Sequence, residues 1–153
     1  MAVLTARMPL DGEYAPSPRG GARAQAELYE RTDGEQGNLM AGKPIVVVTS
    51  RGAITGKLRK TPLMRVEHDG AYAAIASYGG APSHPVWYHN LIADPHVELQ
   101  DGPTRCDMRA RLASGSDRST WWQRAVDAYP PYASYQTKTK REIPVFVLEP
   151  IDP

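Results

Sequence analysis

From Pro44 to Thr49 the chain reads PIVVVT, a β-branched run with no polar alternation, which predicts a strand covered on both sides near the middle of a sheet. Farther on, Cys106, Met108, Ala110 and Leu112 alternate with Arg105, Asp107, Arg109 and Arg111, so the first set is assigned to a core face and the second to solvent. Val97 and Leu99 alternate in the same way with Glu98 and Gln100. A period of two with one covered face is antiparallel behaviour. Leu58 to His68 is extended as well, with Pro62 marking an edge or a bulge because proline brings no N–H to a ladder. Asp69-Gly70 then signals a hairpin leading into a strand over Ala71 to Tyr78, and Ile143 to Leu148 (IPVFVL) closes the sheet.

Helical periodicity is sparser. Ala22 to Arg31 (ARAQAELYER) is rich in helix formers and is stopped by Asp33-Gly34 and Gly37-Asn38, which predicts one short helix with a weak apolar face docked at the domain edge. A second helix is expected from Ser116, as N-cap, to Ala128, with Trp122, Ala125, Val126 and Tyr129 at helical spacing. A short proline-initiated helix after Pro85 carries Trp87 and Tyr88. Mostly consecutive strands joined by tight turns, with two or three short helices, predict a mainly β (α+β) domain built as a small antiparallel barrel rather than a βαβ fold. Residues 1–20, rich in Pro and Gly, read as a flexible or draped N-terminal arm, and residues 21–153 as a single domain.

Length and charge narrow the function. A chain of 153 residues suits one domain with a real core. Its 18 Lys+Arg against 17 Asp+Glu give no general attraction to nucleic acid or anionic membrane, so any anion site must be local. The lone Cys106 favours a reducing, cytoplasmic setting, and neither a signal peptide nor an apolar stretch long enough to span a bilayer is read in the sequence.

Local charge is concentrated in Ser50 to Leu63, SRGAITGKLRKTPL, which holds Arg51, Lys57, Arg59 and Lys60 beside Gly52 and Gly56. A phosphate-cradling nucleotide loop requires four residues between its glycines and a Ser or Thr after the lysine; here three residues intervene and Leu58 follows. What remains is a loop whose glycines let the backbone approach a ligand, flanked by cations suited to an anion. A second cluster runs from Ser77 through Gly79-Gly80 to Trp87, Tyr88, His89, Asn90 and Leu91, a turn followed by a helix start beside flat aromatic rings, which suits a planar polar ring system. A third is YPPYASY, with Tyr129, Tyr132 and Tyr135 at three-residue spacing. The four histidines form no metal-binding spacing, and Ser77 sits in no nucleophile elbow.

In order along the chain, GAITGKLRKTPL (Gly52–Leu63), ASYGG (Ala76–Gly80), HPVWYHNL (His84–Leu91), DP (Asp94-Pro95), YPPYASY (Tyr129–Tyr135) and IPVFVLEP (Ile143–Pro150) resemble the deazaflavin-dependent nitroreductase family, the coenzyme F420-dependent split-barrel oxidoreductases of actinobacteria. The resemblance covers about residues 22–150. It implies a split antiparallel β-barrel of the flavin-reductase/pyridoxamine-oxidase type with short flanking helices, and hydride transfer from reduced F420 to a quinone, a nitroimidazole or an α,β-unsaturated lactone or ketone. It further implies that Ala53, Ile54, Thr55, Gly56, Lys57, Arg59, Pro62, Leu63 and Met64 meet the cofactor's phosphate and ring, that Ala76, Ser77, Tyr78 and Gly79 line it, and that Val86, Trp87, Tyr88, His89 and Asn90 complete the pocket. Tyr132, also against the cofactor, Tyr135 and Ser77 are the implied catalytic residues. Ile54 stands where the family commonly carries a basic residue, as in G-A-K-[ST]-G. The partner is a small hydride acceptor, with no metal or nucleic acid, and a homodimer and peripheral membrane contact are left open. An FMN- or tetrapyrrole-binding split barrel and a non-catalytic F420 binder remain as alternatives.

Overall fold

A computed structural model describes residues 10–151. Strands β1 (Leu39–Met40), β2 (Lys43–Arg51), β3 (Leu58–Met64), β4 (Glu67–His68), β5 (Ala71–Ile75), β6 (His96–Asp101), β7 (Thr104–Leu112) and β8 (Val145–Pro150) form one eight-stranded sheet in the order β1-β2-β6-β7-β8-β5-β4, with β3 joined to β2. Every strand pairing in it is antiparallel. The sheet curls into a split barrel, and the described residues add four helices: α1 (Gly20–Arg31), α2 (Val86–Ala93), α3 (Gly115–Ala128) and α4 (Pro131–Thr137).

The β-branched run does form the central strand. Ile45 through Ser50 of β2 are all buried, and β2 pairs with β1, β3 and β6. Pro62 of β3 pairs with Val47 of β2, and among the described strands β3 pairs with β2 alone, so the missing N–H falls on an edge strand. Val46, Val48, Val97, Leu99, Met108, Phe146 and Leu148 close one half of the core, and Met64, Ile75, Trp121, Tyr132, Ile143 and Val147 the other.

The alternation in β7 holds only in its middle. Met108 and Ala110 are buried, but Leu112, expected in the core, is 45% exposed, and Asp107, expected in solvent, is 4% exposed. Leu112 is the last residue of its strand, where the sheet runs out, and Asp107 lies between β6 and β8, its carbonyl accepting from Ile151 N and its carboxylate 3.3 Å from His96 Nε2. Gln100, expected outward, is buried because its amide caps the β6–β7 turn at Gly102 O. The strand expected over Ala71 to Tyr78 ends at Ile75, and the one expected over Ile143 to Leu148 is shifted to Val145–Pro150. Helix α3 has its N-cap position at Ser114, two residues ahead of the expected Ser116 and without a side-chain capping hydrogen bond, and Trp121 rather than Trp122 is on its buried face. Most of the tyrosine stretch, Pro131 to Tyr135, lies in helix α4.

Helix α1 starts at Gly20, two residues ahead of expectation, and buries Ala26 and Tyr29 against Ile45 and Val47. The Tyr29 hydroxyl accepts from Gly102 N at 2.6 Å, and Gly34 lies so near that turn that a Cβ would come within 2.6 Å of Gly102 Cα. Of the arm, residues 1–9 lie outside the described residues. Asp11 to Pro16 run along the loop and β3: Leu58 N donates to Glu13 O, Ala15 N donates to Leu58 O, and Arg51 and Arg59 donate to the carbonyls of Asp11, Ala15 and Pro16. No helix among the described residues is long and apolar enough to cross a membrane.

Candidate active site

Strand β3, the turn Tyr78–Gly80, α2 and α4 surround a cleft of about 860 Å³, within the usual size of small-molecule sites. Three of the sequence clusters meet there. Arg59, Pro62, Leu63 and Met64 come from β3; Ser77, Tyr78 and Gly79 from the turn; Val86, Trp87 and Asn90 from α2; Tyr132 and Tyr135 from α4. These twelve predicted residues line the cleft together with Tyr129, Met40, Ile75 and the arm residues Ser17, Pro18 and Arg19.

The glycine turn of the cation stretch, Gly52 to Lys57, sits beyond it. Gly52 N donates to Lys57 O at 2.7 Å and Gly56 N to Gly52 O at 2.9 Å, making a tight turn in which Gly56 takes φ +74°. The turn is tied to the site by Ala53 N, which donates to Asn90 Oδ1 at 2.9 Å. Ala53, Ile54, Thr55, Gly56 and Lys57 are not among the lining residues. Ile54 is 98% exposed and packs on nothing. The Lys57 ammonium lies 2.8 Å from Glu13, whose carboxyl it holds below the usual carboxylate range by hydrogen bond and charge. Ala76, Tyr88 and His89 are outside the lining too: Ala76 is fully buried, Tyr88 stacks on His84 with ring centroids 4.1 Å apart, and His89 is exposed.

Charge in the cleft has one sign. Arg19, Arg59 and Lys60 line it, and among the described residues no carboxylate does. Lys60 is ion-paired with Glu30, so Arg59, held by the carbonyls of Ala15 and Pro16 at 3.2 and 3.1 Å, and Arg19, bonded to the Tyr78 hydroxyl, carry the excess. Such a rim attracts an anion. Arg19 also lies 4.7 Å over the Tyr78 ring.

The same lining holds a cluster of phenols. Tyr129, Tyr132 and Tyr135 have ring centroids 5.1 to 6.2 Å apart, and the Tyr129 and Tyr135 hydroxyls are hydrogen-bonded at 3.1 Å. Burial pushes the Tyr132 phenol up, with the neighbouring phenols adding to it; the hydrogen bond with Tyr129 pushes Tyr135 up, burial next. Both are therefore neutral proton carriers at physiological pH. The Tyr132 hydroxyl has no protein hydrogen-bond partner among the described residues, while Tyr132 itself is 5% exposed and lines the cleft. No group of His, Cys, Asp or Glu fit to hold a metal occurs among the described residues.

Arg141 escaped sequence reasoning although it donates to Ala76 O, Ser77 O and Ala81 O, because in TKTKRE it reads as one more solvated cation. Arg19 escaped it inside an arm with no periodicity.

A split antiparallel barrel with a cleft that combines flat aromatic side chains, a cationic rim and phenols suits a planar, anionic organic ligand. The model of the F420H(2)-dependent quinone reductase family matches residues 21–150, and the chain belongs to that family. It is 36% identical over 130 residues to an F420H(2)-dependent quinone reductase of Mycobacterium tuberculosis, covering 82% of this chain and 87% of the relative. Among solved structures, an F420-H2 dependent reductase is 56% identical, with TM-score 0.67, over 69% of this chain and 94% of that one. A heme binding protein of Mycobacterium smegmatis, 13% identical with TM-score 0.52 over 88% of this chain and 52% of that one, shares the fold alone. As a member of the family the chain is an oxidoreductase that uses reduced F420.

Proposed function

We propose that the cleft binds reduced coenzyme F420 with its ring between the Pro62–Met64 stretch and Trp87 and its phosphate toward Arg59, and that a quinone stacks on the side closed by Tyr132 and Tyr135. The bound cofactor supplies a hydride. The chain's own residues orient the two partners, exclude water and hold the proton that the reduced quinone oxygen takes up, at the Tyr132 or Tyr135 hydroxyl, with Tyr129 as the neighbour from which Tyr135 is reprotonated. The observation that supports this reading is a cleft lined, among the described residues, by cations without carboxylates, by apolar and aromatic side chains and by the Tyr132 and Tyr135 phenols. An F420-type ligand, with a planar ring and an acidic tail, matches both ends. Met64, buried at the end of β3, gives the slot an apolar contact.

A homodimer is part of the same proposal, supported by a chain described as a domain-swapped dimer that is 49% identical, with TM-score 0.69, over 87% of this chain and all of that one. So is a cytoplasmic setting, in keeping with Cys106 as a free thiol. The test is a side-by-side fluorescence titration with F420, FMN and haem. Tighter binding of F420 than of the other two is expected, and equal or better affinity for FMN or haem refutes the reading.

A further inference from the structure

Arg141 stands between α4 and β8, outside the cleft lining. Its guanidinium donates from Nη1 to Ala76 O at 3.1 Å, from Nη2 to Ser77 O at 2.8 Å and from Nε to Ala81 O at 2.9 Å. Nη1 also lies 2.9 Å from Nδ1 of His84; burial, then the Arg141 and His89 charges, hold this ring below the ordinary histidine value. One planar fork thus grips both ends of the segment 76–84. Between those ends Tyr78, Gly79 and Gly80 all have positive φ, at 47°, 63° and 83°. For a tyrosine that is a strained conformation, which persists only where the surroundings impose it.

The same arginine is tied to the tyrosine helix. Gln136 of α4 donates from Nε2 to Arg141 O at 2.8 Å and accepts from Ile143 N at 2.9 Å through Oε1. Across the gap, a Cβ on Gly80 would come within 2.7 Å of Tyr135 O, so turn and helix already touch.

We propose that Arg141 is a positioning residue for the reaction: it locks the Ser77–Gly79 turn against α4 and so sets the gap between that turn and the Tyr132 and Tyr135 phenols, where the acceptor must stack. This rests on the reading of the cleft as the F420 site. Only arginine fits the role, because its donors form a fixed fork, while lysine has one flexible ammonium.

The experiment uses the full chain as wild type, Arg141→Lys, Arg141→Met and Gln136→Leu. It measures thermal midpoint, F420 affinity by fluorescence quenching, and kcat and KM for oxidation of F420H2 by menadione. Arg141→Lys and Gln136→Leu should keep F420 affinity within about threefold while kcat falls about tenfold or more, since ångström-scale misplacement costs up to about a hundredfold. If Arg141→Met fails to fold, these two variants still decide. A residue that served stability alone would lower affinity, kcat and thermal midpoint together, and that result overturns the inference, as does unchanged kcat in both variants. A wild type that neither binds F420 nor oxidises F420H2 overturns the proposed function and the inference with it; an active wild type beside unaffected variants overturns the inference alone.

Discussion

Gly80→Ala measures how tightly the turn and the tyrosine helix are joined. Two effects add at this position. Gly80 has φ +83°, where any Cβ is strained, and the added methyl would come within 2.7 Å of Tyr135 O, 3.1 Å of Lys138 Cβ and 3.2 Å of Tyr135 Cα. The strain amounts to about 1–2 kcal/mol, of which part is offset because alanine also restricts the unfolded chain, leaving about 1 kcal/mol. Two of the three close atoms are backbone, so α4 has to move, and overpacking of this kind costs about 1–3 kcal/mol more. Gly79→Ala is the internal control: φ is +63° but nothing lies within 4 Å of its Cβ, so only strain applies. With a midpoint shift of about 2–4 °C per kcal/mol for chains of this length, Gly79→Ala should lower the melting temperature by about 2–4 °C and Gly80→Ala by about 4–16 °C. Circular dichroism melts of both variants give the comparison, and turnover in Gly80→Ala should fall because Tyr135 is displaced. A Gly80→Ala melting temperature no lower than that of Gly79→Ala would refute the close packing of turn and helix.

Ile54→Lys adds a cation at the 98%-exposed tip of the loop and should tighten F420 binding by about 0.5–1 kcal/mol, less at high salt; a salt-independent loss of affinity in titrations at two ionic strengths would make Ile54 an apolar contact with the bound ligand. Arg59→Ala should weaken F420 by about 1.5–3 kcal/mol but leave a deazaflavin lacking phosphate and tail nearly unchanged, and equal losses for both ligands would remove Arg59 from the phosphate end. Tyr132→Phe and Tyr135→Phe should keep cofactor affinity and melting temperature while kcat drops about tenfold to a hundredfold, and unchanged kinetics with quinone would make both packing residues. His84, faced by Arg141, His89 and the Tyr88 ring, is held below the ordinary histidine value of 6.5. The unfolded chain therefore binds the extra proton first, and stability should fall as pH drops below about 6.5. Urea midpoints against pH check this, and the same slope in His84→Asn would assign the loss elsewhere.

Much of the fold was legible because it rests on local pattern. The buried run of β2, the proline on edge strand β3 and the Asp69-Gly70 hairpin each follow from the chemistry of a few adjacent residues. What failed was set by long-range context. The strand period puts Asp107 outside and Leu112 inside, and only the position of β7 between β6 and β8, with the sheet ending at Leu112, reverses both. The Ser77–Leu91 and tyrosine clusters meet in one cleft with the Arg59–Leu63 end of the cation stretch, whereas the glycine turn of that stretch, the strongest local signal, stands outside the lining and is tied to it through Ala53 and Asn90. Arg141 was illegible for the opposite reason. Its partners are 57 to 65 residues away, and nothing in its neighbours distinguishes it from Lys138 or Lys140.

The central claim is that this cleft brings reduced F420 and a quinone together for hydride transfer. Anaerobic stopped-flow mixing of F420H2-loaded protein with menadione, followed by the return of oxidised-F420 fluorescence, tests it most directly. The account predicts a protein-dependent oxidation that saturates with menadione and slows in Tyr132→Phe and Tyr135→Phe. Oxidation at the rate of free F420H2 with menadione, the same with and without protein, would contradict it.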